Sequence, residues 1–123
     1  MMASQIDSYF LALKNRDRAA YLACFTPDAE MHDPYGARPF LGTEGLHKFM
    51  DGFERTWASF AIIPGHSFAA GDRVAVSWQT EAASKQGKTA VFAGIDVFTL
   101  AEDGRISRLE GYWDFKAMVA QIS

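Results

Sequence analysis

The chain has 123 residues, 49% hydrophobic and 22% charged, which suits one globular domain over residues 1–123 and excludes a disordered chain. Lys+Arg number 12 and Asp+Glu 15, a formal charge of −3 with neither sign in blocks, so a nucleic-acid partner is not expected. One cysteine, Cys24, excludes an internal disulfide, and no window approaches the roughly 18 apolar residues of a membrane span, so the expected setting is cytoplasmic.

Ile6, Tyr9, Phe10 and Leu13 stand at i, i+3, i+4 and i+7 and predict a first amphipathic helix, capped by Ser4 and ended by Lys14–Asp17. Asp17 caps a second helix whose apolar face is Ala20, Tyr21, Cys24 and Phe25. Thr26-Pro27-Asp28 should stop it, because proline cannot continue the helical ladder. Ala29–Asp33 reads as a short strand, closed by the turn Asp33-Pro34-Tyr35-Gly36, and Arg38–Gly42 reads as irregular. Thr43 caps a third helix with Leu46, Phe49, Met50 and Phe53 on one face.

Beyond Arg55 the period becomes alternating. Trp57–Ile63, Arg73–Ala83, Thr89–Leu100 and Ile106–Phe115 are the expected strands, separated by short turn signals at Pro64-Gly65, Gly71-Asp72, Ser84–Gly87 and Glu102–Gly104. Such connections are too short for crossovers, so these strands should form an antiparallel meander. The expected class is α+β: three N-terminal helices on a strongly curved, mostly antiparallel sheet, forming a cone with an apolar pocket. The aromatic share of 14% fits such a pocket.

Three side chains could carry chemistry inside that cone. Asp96 is the only charged residue between Lys88 and Glu102, on a strand with neighbours on both sides. A buried carboxyl takes up a proton and becomes a hydrogen-bond donor; the alternative is an Asp on the outer sheet face. Asp33 ends a strand before Pro34, either as a turn-starting residue or as a base. Tyr9 lies on the apolar stripe of the first helix, as a core tyrosine or a phenolic donor. A base, a phenol and a neutral acid together suit proton abstraction beside a carbonyl. The three histidines are scattered: His32 should face away from Asp33, and His47 should be solvated. No metal is expected, and Cys24 reads as a small core residue.

These features resemble the bacterial ketosteroid isomerases, within the group similar to nuclear transport factor two and the SnoaL-like cyclases. The marks are Tyr9, the run Phe25–Gly36, the run Gly42–Phe49, Gly94-Ile-Asp-Val-Phe98 and Gly111-Tyr-Trp-Asp114. The resemblance implies Asp33 as the proton-shuttling base, Tyr9 and a protonated Asp96 as oxyanion donors, and Trp113 as a pocket wall. It also implies that no cofactor is used and that the protein is a homodimer. Leu13, Met50, Phe53, Trp78, Phe92 and Trp113 are the residues expected to contact a small hydrophobic ketone or polycyclic ligand. One departure is visible: Phe25 and Met50 stand where the family's catalytic tyrosine finds further hydroxyl groups. A SnoaL-like polyketide cyclase and a non-catalytic hydrophobic-ligand or dimerisation domain are the alternatives to a steroid delta-isomerase-like enzyme.

Overall fold

The computed structural model describes residues 4–123, so the cap expected from the Ser4 side chain lies outside the described residues. Helix α1 (Ser4–Asn15) and helix α2 (Arg18–Ala23) lead into strand β1 (Phe25–His32) and the two-residue strand β2 (Phe40–Leu41). Helix α3 (Gly42–Thr56) is followed by strands β3 (Trp57–Ala70), β4 (Arg73–Ser84), β5 (Thr89–Leu100) and β6 (Ile106–Tyr112). Helix α4 (Phe115–Ile122) comes last. The six strands form one sheet in the order β2-β1-β6-β5-β4-β3, antiparallel throughout except that β1 runs parallel to β6.

The helical stripes are buried as their spacing predicts. Ile6, Tyr9, Phe10 and Leu13 of α1 and Leu46, Met50 and Phe53 of α3 all enter the core against the sheet. Asp17 caps α2 by accepting from the Ala20 backbone N–H at 3.1 Å. On β4, Val74, Val76, Trp78, Thr80 and Ala82 face inward, and on β5 Ala90, Asp96 and Phe98 do so. Each long buried apolar side chain contributes about 1.5–3 kcal/mol by leaving water. The helices pack on the curved sheet and leave it open rather than closed into a barrel.

Several boundaries differ from the sequence reading. Phe25, Thr26, Pro27 and Asp28 belong to β1, not to the end of α2. Pro27 is tolerated there because the β1–β6 register shifts between Phe25 and Glu30, and β2 pairs only with Glu30 and Met31. Pro64-Gly65 is not a turn; β3 runs through it to Ala70 across a register shift between Pro64 and Ser67. β3 is an edge strand, where a missing N–H costs little and a bulge is tolerated. Thr43 is not a cap: α3 starts one residue earlier, at Gly42, and Leu41 precedes it without a side-chain cap. The last strand stops at Tyr112, and the expected three helices become four. Asp114 caps α4 by accepting from the Ala117 N–H at 3.0 Å.

Candidate active site

Two strand pairings bring the carboxyl groups together. The parallel pairing His32↔Glu110 carries Asp33 alongside Gly111, and the antiparallel pairing places Asp96 directly opposite Gly111. Gly111 is the reason both fit. A Cβ there would overlap Asp33 Oδ1 and come within 3.1 Å of Asp96 Oδ1, so the two carboxyl groups occupy the space of one missing side chain. Tyr9 reaches the same cavity from α1, its ring held edge-on by Phe98 at 5.2 Å and Phe10 at 5.2 Å.

The cavity measures about 250 Å³ and is lined by Tyr9, Leu13, Asp33, Phe53, Trp78, Phe92, Asp96 and Trp113 among others. Five of the six expected contact residues therefore face it. Met50 does not: it is fully buried in the core, and the packing of α3 leaves it out of the cavity lining although Phe53 of the same stripe reaches it. Sequence reasoning gave no pocket role to Phe60, Phe115 or Met118, which also line the cavity. Phe115, Met118, Val119 and Ile122 follow the i, i+3, i+4, i+7 pattern, the signal that marks α4. Gly111 could have been found as an isolated glycine inside a strand, which often marks a close approach.

Burial sets the electrostatics. It raises the Asp96 carboxyl well above its ordinary range, and the charge of Asp33 raises it further. The Trp78 indole is near enough to oppose that rise but forms no hydrogen bond, and Asp96 Oδ1 has no partner among the described residues. Asp33 is pushed up to about 6 by burial, against the opposing effect of the Trp113 indole, whose Nε1 donates to Asp33 Oδ1 at 2.5 Å. With a value of about 6, Asp33 is mainly a carboxylate at neutral pH, while burial and the charge of Asp33 both favour the neutral form of Asp96. The Tyr9 phenol is raised well above its ordinary range by burial and by the charge of Asp96, so it stays a donor. Its neighbour Tyr21, with ring centroids 5.6 Å apart, turns its hydroxyl to donate to Met31 Sδ at 2.9 Å. Phe25 and Met50, being apolar, add no hydroxyl there.

His32 bonds Glu30 at 3.3 Å, and His47 is exposed beside Arg18. Among the described residues no three His, Cys, Asp or Glu side chains gather as a metal site, and no helix is long and apolar enough to cross a membrane.

The SnoaL-like domain family profile matches residues 6–109. A curated protein from Nocardioides simplex, "Steroid Delta-isomerase", is 27% identical over 105 residues, covering 85% of this chain and 83% of that protein. Among solved structures, SalBIII, described as an epoxide hydrolase/cyclase-like enzyme with a role in pyran ring formation in the polyether salinomycin, superposes with a TM-score of 0.82. It is 25% identical, covering 92% of this chain and 90% of that one. A Mycobacterium tuberculosis protein crystallised with estradiol-17beta-hemisuccinate superposes with a TM-score of 0.81 at 20% identity, over 92% of this chain and 93% of that one. This second structure shows a shared fold alone.

Proposed function

The chain belongs to the SnoaL-like domain family, and we propose that its cavity catalyses cofactor-free proton transfer beside a ketone, moving a β,γ double bond into conjugation. The observation that carries this reading is the meeting of two buried carboxyl groups at Gly111, both raised by burial, with Asp33 held down by the Trp113 indole and Asp96 raised further by the charge of Asp33. A pair pushed apart in this way divides the roles of base and donor, and ketosteroid isomerase is itself the known example of an acid held neutral by an apolar site.

The Asp33 carboxylate takes a proton from the carbon between the carbonyl and the double bond. The C–H electrons move into a dienolate, and its oxygen receives hydrogen bonds from Tyr9 and neutral Asp96. Asp33, now protonated, returns the same proton to the γ-carbon, and the conjugated ketone forms with nothing gained or lost. Trp113 holds Asp33 in place through its indole N–H. Among the described residues the lining offers no Lys, Arg or His to hold an anion and its walls are mostly aromatic and apolar, which supports a ketone that is apolar around its carbonyl. The relative named as a steroid isomerase supports this chemistry.

The likeness to SalBIII favours a second reading, in which Asp33 deprotonates a polyketide carbon for ring closure. A hydrophobic-ligand-binding domain without catalysis would gain nothing from two buried carboxyls. The exposed Ile63, Val91 and Ile95 on the outer sheet face support self-association as a homodimer.

The test is the growth of enone absorbance from β,γ-unsaturated cyclic ketones of one, two and four rings. Asp33→Asn should lower turnover by roughly 10²–10⁴-fold, the usual loss of a general base. Isomerisation at an equal rate in the variant, or none in the unaltered protein, would overturn the isomerase reading.

A further inference from the structure

Helix α4 is bound to the sheet in an unusual way. β6 pairs with β5 only from Ile95 to Leu100, which leaves the earlier part of β5 without a strand on that side. Gln121 takes its place: its Nε2 donates to the Val91 carbonyl at 3.0 Å, and its Oε1 accepts from the Val91 N–H at 2.7 Å. One amide side chain thus completes both backbone groups of a sheet residue, as a neighbouring strand would. The same helix begins shortly after Trp113, and Phe115 packs on the Trp113 indole at 5.8 Å.

This docking puts Met118, 6% exposed, and Phe115, 48% exposed, on the cavity. A large aromatic half open to water at a pocket mouth is the position a ring ligand would cover. The cavity they line measures about 250 Å³, below the roughly 300–1,000 Å³ usual for drug-sized ligands.

Resting on the isomerase reading, we propose that α4 gauges substrate length, so that the site selects a neutral ketone of one or two rings over a four-ring one. Phe115 and Met118 are the specificity-determining residues, and Gln121 is the positioning residue that holds them in place. The carbonyl end lies against Tyr9 and Asp96, and the far end of the ligand meets α4. A fused four-ring skeleton has the same reactive end but must displace the helix.

Isothermal titration with 2-naphthol and equilenin tests this, since both present the same naphthol oxygen, on two and four rings respectively. Equilenin is the more apolar and would bind more tightly wherever space allowed. The unaltered protein should instead prefer 2-naphthol by about tenfold, and Phe115→Ala/Met118→Ala should reduce that preference by about tenfold. Phe115→Ala alone, at a half-exposed position that the fold tolerates, and Gln121→Leu, which frees the helix, should move the ratio the same way. Equilenin bound as tightly as 2-naphthol, or a ratio unmoved by all these variants, overturns the length gauge and leaves the isomerase reading standing. Neither phenol binding the unaltered protein overturns the shared oxyanion pocket and the gauge with it.

Discussion

The indole of Trp113 donates to Asp33 Oδ1 at 2.5 Å although 80 residues of chain separate them. The link joins the end of β1 to the segment that follows β6, and it exists because those two strands run parallel side by side. It stabilises the carboxylate against the burial that otherwise protonates it.

The pH dependence of kcat/KM should therefore show an acid limb near 6, where Asp33 loses its proton and becomes a base. An alkaline limb follows when Asp96 ionises and the donor is lost; the two apparent values belong to the pair. Trp113→Phe removes the hydrogen bond that lowers Asp33, so the acid limb should move above 6 while the alkaline limb stays. A limb that stays in place would mean that Trp113 serves only as a wall.

Gly111→Ala should damage the site more than the fold. Its new Cβ collides with Asp33 Oδ1 and crowds Asp96 Oδ1, so the base must swing away from Trp113. Overpacking of this kind typically costs about 1–3 kcal/mol. Turnover should fall with kcat rather than KM, because the apolar walls that bind the ligand are unaltered. Steady-state kinetics beside urea denaturation would separate the two effects.

Stability should decline from acid toward neutral pH through these carboxyls. Asp33 has a folded pKa of about 6, above its unfolded value, so the folded state binds more protons between roughly pH 4 and 6. Stability is full below the unfolded pKa and falls as pH rises through the folded one, by on the order of 3 kcal/mol. Asp96, raised further, extends the decline to higher pH. Asp96→Asn cannot ionise, so it should gain on the unaltered protein at pH 8 and not at pH 4. Equal gaps at both pH values, measured by thermal unfolding, would show that Asp96 carries no such penalty.

Tyr9→Phe should weaken both turnover and 2-naphthol binding, since the donor meets the oxygen in the bound state and more strongly in the transition state. Met50→Ala should instead lower stability and spare binding. It empties a fully buried site in the core, at a cost of about 2–5 kcal/mol, and should leave 2-naphthol affinity unchanged in the folded protein. Altered affinity in Met50→Ala would return that residue to the pocket wall.

The period of the sequence was enough to determine α1, α3, β4 and β5, because each buries one regular face and that face repeats every 3.6 or 2 residues. The same alternation put Asp96 on one face of β5 with Phe92 and Phe98, and Asp96 stood out there as the one charge in an apolar run, but which face is the inner one was decided by the packing of the helices. Local signals failed where the neighbouring strand decided the outcome. Pro64-Gly65 and Thr26-Pro27 read as breaks, yet an edge position and shifted registers let β3 and β1 run through them. Nor could spacing along the chain reveal that Asp33 and Asp96 share the space above Gly111, or that Trp113 bonds the first of them. Those relations depend on β1 lying parallel to β6 with β5 on its other side, and the order of strands in a sheet is fixed by long-range pairing. Met50 shows the same limit from the other direction: its stripe position established burial, and only the placement of α3 decided that it faces the core and not the cavity.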